Sequence, residues 1–304
     1  MATEARFITS APSIFPAKQP MNDIQRVSPV EIEHDQCVLP LVRRMLALLD
    51  RDPDSLQEGD PLPRGWHGIL FNPPTLQSKL RQDGAARDRV NVPNLGLPRL
   101  MFAGRRCQFS GEIPIGAHVR QETRRLGDIE MKQGKSGRFA LMKFEHRIYV
   151  GADEKPVVTE QRDYVLREAA RPDAGSTPAA EKPQTTPPQV GKAHLVRTIV
   201  PDEMMNFRYS SITDNPHRIH YDFQYTTKVE GYPGLVVSGG IPVMFLLEVF
   251  RITAAREPVT FDIRNLAPMF CGRPLHLFAH DTGEGWRLWA QDDTGNPTVE
   301  ARAT

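Results

Sequence analysis

Residues 241–251 (IPVMFLLEVFR) are apolar around nearly the whole circumference of the helix they would form. Such a helix has no face to offer to water, so something must wrap it. Beyond this run the chain is strand-like. Residues 259–266, 274–280, 287–291 and 298–304 alternate apolar with polar side chains and are separated by the turn sequences DTGEG and DDTGN. One buried helix leading into a meander of short strands predicts an α+β fold, with an antiparallel sheet curled round the helix.

The same order occurs earlier. Residues 40–52 (PLVRRMLALLDRD) place Leu41, Met45, Leu48 and Leu49 at helical spacing, and strand-like runs come after them at 106–115, 118–130, 138–150 and 157–167. Between the two halves lies RPDAGSTPAAEKPQTTPPQVGK, residues 171–192, whose Pro, Ala, Thr and small polar residues offer little to bury. It reads as a linker. The expected organisation is therefore an arm over 1–39, a first module over 40–170, the linker, and a second module over 193–304.

With 39% hydrophobic and 25% charged residues in 304, the chain has enough apolar material for packed cores. Its 38 basic and 37 acidic side chains leave a net charge of +1, which excludes a global pull toward nucleic acid or an anionic membrane. Cys37, Cys107 and Cys271 are widely spaced, fitting neither a disulfide framework nor a zinc ribbon. No signal-peptide-like run opens the chain and no stretch approaches the length of a membrane span, so the expected location is cytoplasmic, with reduced thiols.

The chemistry-bearing stretch is residues 208–240, RYSSITDNPHRIHYDFQYTTKVEGYPGLVVSGG. Two blocks in it, TDNPHRIHYD and VEGYPGLVVSGG, resemble the MaoC-like enoyl-thioester hydratases. The nearer likeness is to the branch of mesaconyl-CoA and itaconyl-CoA hydratases and fungal 3-hydroxyacyl-thioester dehydratases. Further similarity runs through LPRGWHGILF at 62–71, LPRLMFAGRR at 97–106 and KQGKSGRFALMKFEHRIY at 132–149. The resemblance implies a double hotdog, two antiparallel sheets each wrapped round a central helix, whose first module is degenerate. It also implies a hydro-lyase that adds or removes water across the α,β double bond of an acyl thioester.

Hydration of an enoyl thioester needs a base for water, an acid for the α-carbon and donors for the enolate oxygen. His220 is the titratable candidate, since imidazole changes charge near neutral pH. Asn215 precedes it by five residues, the separation at which simpler hydratases keep a catalytic Asp. An amide cannot take a proton, so Asn215 would orient water or thioester, whereas the adjacent Asp214 would be a base if the loop brought it inward. Gly239 and Gly240 open the buried helix, and their amides are candidate donors to the thioester oxygen. Ser238 stands where relatives carry His, and it would line the pocket.

His217, Arg218 and Asp222 are supporting residues: Arg218 either pairs with Asp222 or meets a substrate carboxylate or the coenzyme A phosphates. His217 and His220 have no further ligand cluster beside them, so no metal is expected. Trp66 and His67 read as wall and packing. No cofactor is expected beyond the coenzyme A of the substrate. The expected partners are an acyl-CoA or acyl-carrier-protein thioester and a second copy in a homodimer, with neither nucleic acid nor membrane. The alternatives are a hotdog thioesterase and a catalytically idle protein that binds an acyl thioester or carrier protein.

Overall fold

The computed structural model describes residues 29–84, 95–97, 99–134, 137–168 and 194–304. The expected linker at 171–192 and most of the expected arm lie outside these residues.

Among the described residues ten strands form one antiparallel sheet. They are β1 (Glu31–Gln36), β2 (Arg99–Phe109), β3 (His118–Gly134), β4 (Gly137–Val150), β5 (Val158–Arg167), β6 (His194–Ile199), β7 (Thr260–Asn265), β8 (Leu275–Asp281), β9 (Trp286–Gln291) and β10 (Pro297–Ala303). Their spatial order is β1-β3-β4-β5-β2-β7-β10-β9-β8-β6. Read inward from either edge, the order is the same: adding five to each label of β1-β3-β4-β5-β2 gives β6-β8-β9-β10-β7. The two halves are thus topological copies, and they join edge to edge through β2 and β7, where Gly104–Gln108 pair with Arg264–Thr260. This seam makes one continuous sheet of what the sequence presents as two, and it leaves neither central strand with an open edge.

Among the described residues four helices accompany the sheet: α1 (Leu39–Leu48), α2 (Glu203–Ile212), α3 (Phe223–Lys228) and α4 (Gly240–Ala254). In α4, ten consecutive residues from Ile241 to Phe250 are buried. Phe245, Leu246, Leu247 and Phe250 are fully buried, each burial worth about 1.5–3 kcal/mol, and the helix packs on β8, β9 and β10 while Leu247 lies against Gly65 of the first half. The charge in this run, Glu248, is paired with Arg251 at 2.8 Å and with Arg51 of the first half at 3.3 Å. The halves differ in their helices. At the position corresponding to α4, between α1 and β2, the described residues of the first half form only short 3-10 turns at Trp66–Ile69 and Gln77–Lys79. Prolines at 53, 61, 63, 73 and 74 remove the donors and backbone angles that a long helix there would need. The first half nonetheless shares one apolar core with the second: Leu62, Trp66 and Ile69 belong to the same cluster as α4.

Several elements differ from the sequence expectation. Within the expected arm, Glu31–Gln36 is a strand on the sheet edge, paired with β3. Strand β2 begins at Arg99 rather than 106. Helix α1 ends at Leu48, and Asp50 beyond it takes a positive φ of 58°. The sequence pattern does not mark helices α2 and α3 or strand β6; α2 has Arg, Asn and Ser distributed around its circumference and so carries little amphipathic signal.

Candidate active site

The second half builds the site in three passes of chain. Helix α2 starts at an Asp202 cap, whose carboxylate accepts from the Met205 amide at 2.7 Å. The chain then turns through residues 213–217 into a short 3-10 turn, Arg218–His220, and on into α3, capped by Asp222 through the Tyr225 amide at 2.9 Å. It returns as an extended run that reaches the start of α4. There the Val236 amide donates to Ile219 O at 3.0 Å and the Val237 amide to Met269 O at 2.8 Å.

Asn206 on α2 ties these passes together, and sequence reasoning missed it. Completely buried, it donates through Nδ2 to His220 O at 3.1 Å and Val236 O at 2.9 Å, and accepts through Oδ1 from the Ser238 amide at 2.9 Å. One signal could have found it: an Asn inside a helix, where its propensity is poor, requires a partner when buried.

His220 is buried, with Nδ1 at 2.9 Å from Val236 O. A carbonyl only accepts, so Nδ1 carries the proton and Nε2 keeps its lone pair, free to receive a proton. Burial pushes the imidazole down to about 4; the bond to Val236 O opposes the shift and the neighbouring His217 adds to it. His220 is therefore a neutral ring at physiological pH. His217 stands edge-on to it, ring centroids 5.7 Å apart, and is itself lowered by burial.

The Ser238 amide is taken by Asn206, and Ser238 O accepts from Ile241 N at 2.9 Å. The amides of Gly239 and Gly240 are among the first-turn donors that α4 cannot satisfy from within itself. Gly240 has a steric requirement too: a Cβ there would lie 1.8 Å from the Tyr209 hydroxyl oxygen. Tyr209, on α2, is thus pressed against the start of α4.

Asn215 is half-buried, with Oδ1 accepting from the His217 amide at 3.3 Å and its own amide donating to Ser210 O at 2.9 Å. Asp214 is exposed and takes a φ of 45°. Arg218 is bound to Asp222 at 2.7 Å and lies over the Tyr225 ring at 4.1 Å, so its charge is engaged within the module. The first half braces this turn: Arg218 N donates to Asp83 O at 2.8 Å and Arg218 Nη1 to Gln82 O at 3.2 Å.

In the first half Trp66 and His67 are buried, as packing residues would be, but His67 also meets a buried charge: its Nε2 is 3.2 Å from the Glu160 carboxylate. His67, Cys107 and Glu160 together have the donor types of a metal site. They do not fit one. Arg162 lies 2.7 Å and Arg105 3.4 Å from the same carboxylate, so its counter-charge is already present and a divalent cation would sit between two guanidiniums.

Residues 65–271 match the hydroxyacyl-thioester dehydratase type 2 family. The mesaconyl-C(4)-CoA hydratase of Chloroflexus aurantiacus is 35% identical over 274 residues, 89% of this chain and 93% of that one. The mitochondrial hydroxyacyl-thioester dehydratase type 2 of Schizosaccharomyces pombe is 36% identical over 105 residues, 34% of this chain and 35% of that one. Among solved structures, a double-hotdog protein of Mycobacterium tuberculosis superposes with a TM-score of 0.61 at 12% identity, covering 94% of this chain and 97% of that one.

These relatives correct the expected cytoplasmic location, since both fungal proteins, from S. pombe and Saccharomyces cerevisiae, are mitochondrial. The expectation rested on the lack of a secretory apolar run, and an organelle leader is instead amphipathic and arginine-rich, so that test does not detect it. With a family match from 65 to 271 and a relative aligned over nearly the whole length, the chain belongs to the hydroxyacyl-thioester dehydratase type 2 family, MaoC-like double-hotdog enzymes that add or remove water across the double bond of an acyl thioester.

Proposed function

We propose that the chain hydrates a short enoyl-CoA of the mesaconyl-CoA type, with His220 as the acid–base residue and the Gly239 and Gly240 amides as donors to the thioester oxygen. Water attacks the β-carbon while His220 Nε2 takes its proton. The π electrons move toward the thioester oxygen, where the two amides stabilise the developing enolate. As the enolate collapses, the imidazolium returns the proton to the α-carbon, so the water is added whole. Asn215 orients water or thioester, Ser238 lines the pocket, and His217, Arg218 and Asp222 hold the turn. Asp214 is the second candidate base. Binding of acyl-CoA thioesters and catalysis without a bound cofactor are properties of the family.

The observation that carries this reading is the neutral His220 with its free Nε2, fixed through Val236 O and Asn206 to the chain that leads into α4. Division into a degenerate first hotdog at 40–170 and a catalytic one at 193–304 is part of the same proposal. The absence of an HRIHYD-like block from the first half and the short turns in place of its long helix support it. The mesaconyl preference draws on the Chloroflexus relative.

The test is incubation of the purified protein with crotonyl-CoA and mesaconyl-CoA. Loss of enoyl absorbance without release of free thiol is expected. Thiol release would instead favour a thioesterase, and binding without either change would favour an idle carrier. Parallel assays with crotonyl-acyl carrier protein decide which carrier is used.

A further inference from the structure

The core-facing side of the first half's strands carries a polar band where the corresponding residues of the second half are apolar. On β2, Arg105 pairs across the seam with Ile263 and on its other side with Arg162 of β5; Cys107 pairs with Glu160, and Glu160 in turn with His146 of β4. Side chains alternate along a strand, so these residues share one face. On one side of the band lies the main core. On the other lies a smaller cluster of Leu97, Ala140, Met142, Phe144 and Leu166.

The charges in this band do not balance. Glu160, completely buried, is shared by Arg162 and Arg105, while Arg162 also meets the Tyr164 hydroxyl. Burial would raise the Glu160 carboxyl, but Arg162, His67 and Arg105 hold it well below the usual range. Burial also lowers His67, and takes His146 down to about 3, so both rings are neutral. Two guanidiniums thus face one carboxylate among the described residues. Nitrogen atoms are left over as well: Arg105 Nε, on a side chain nine-tenths buried, and His146 Nε2 have no hydrogen-bond partner. The Arg105 side chain is one-tenth and the Arg162 side chain one-quarter exposed, so the surplus charge sits at the edge of the interior, where an anion would compensate it.

The band also lies within reach of the start of α4. Asn265, two residues along β7 from Ile263, has its Nδ2 at 3.9 Å from the Cβ position of Gly239. Two strand residues span about 7 Å. Tyr209, pressed on Gly240, is raised by burial and feels the Arg105 charge in opposition.

We propose that Arg105 and Arg162 form a carboxylate-binding subsite, which selects acyl thioesters that bear a second carboxylate a few carbons from the thioester. The inference rests on the hydratase reading only for the position of the thioester. It goes beyond that reading by assigning substrate selection to residues of the first half. Glu160 holds the two guanidiniums in place, and the incoming carboxylate supplies the missing charge with hydrogen bonds to planar forks.

The experiment compares the binding of succinyl-CoA and butyryl-CoA by calorimetry. Both have four-carbon acyl groups and neither can be hydrated, so the outcome does not depend on catalysis. The wild-type protein is expected to bind succinyl-CoA about 10-fold or more tightly, the scale of a charge-assisted hydrogen bond. Arg105→Met and Arg162→Met should bring the ratio close to unity. Equal wild-type affinities would overturn the subsite while leaving the hydration reading intact, and this comparison needs no variant to fold. Weakening of both ligands alike in a folded Arg105→Met protein would also overturn it, because the arginine would then be meeting a coenzyme A phosphate common to the two.

Discussion

Asn206 and His220, fourteen residues apart, are joined by a 3.1 Å bond from the Asn206 side-chain amide to the His220 backbone carbonyl. Through the same amide group Asn206 also holds Val236 O, the acceptor of the His220 ring proton. The imidazole and its partner are therefore set by one buried side chain that touches neither the ring nor a substrate donor. Asn206→Ala leaves the Ser238 amide without its acceptor, and at about 1–3 kcal/mol for a buried unpaired group it should lower unfolding free energy by that amount or more. Denaturant unfolding measures it. Hydration turnover should fall as well, and Asn206→Asp, which cannot donate to the two carbonyls, should not restore it.

Loss of His220 should be the most damaging single change at the site. General acid–base catalysis is worth about 10²–10⁴-fold, and His220→Ala is expected to lower kcat by that order in a folded protein. Its pKa of about 4 sets the pH dependence: kcat/KM for hydration should be level near neutrality and fall as pH drops through about 4. Stability moves in the same direction. The folded ring resists a proton that the unfolded chain accepts near 6.5, so this contribution is fully present above that value and is lost as pH falls toward 4. Removing the ring should reduce the acid sensitivity of unfolding over that interval.

Asn215 and Asp214 can be separated by paired variants. Asp214 is exposed at a positive φ that asparagine adopts at least as readily, so Asp214→Asn should keep both fold and activity. Asn215→Ala should lower turnover. A severe loss in Asp214→Asn beside an active Asn215→Ala would make Asp214 the base. Hydration rates of both variants across pH decide between them.

Gly240→Ala should abolish activity, because its Cβ would overlap the Tyr209 hydroxyl and displace the first turn of α4. If that overlap is the cause, adding Tyr209→Ala should recover part of the lost turnover. A double-mutant cycle on kcat measures the coupling between them.

Much of the architecture was legible because it depends on local pattern. An eleven-residue run without a polar face had to be enclosed, and the strands after it alternate cleanly, so β7 to β10 and the body of α4 fall close to where the sequence puts them. The elements that escaped, β1, β6, α2 and α3, are short or carry mixed faces, and they exist through long-range partners: β1 through β3, β6 through β8, α2 through the Asn206 contacts. The Arg218–Asp222 pair is one of the two options that the sequence offers for Arg218, since an i,i+4 spacing suffices to suggest it.

By itself the sequence determined the α+β double-hotdog class and offered His220 as a candidate, since periodicity, composition and motif spacing are properties of a chain before it folds. Three things were decided only by tertiary structure. The seam between β2 and β7 unites the halves, and strand pairing leaves no mark in either strand alone. The His220 tautomer is set by Val236, sixteen residues away, and its lowered pKa by burial that needs the whole core. The surplus positive charge near Glu160 exists because residues of β2 and β5, far apart in sequence, face the same interior, where low polarity makes each unpaired charge count.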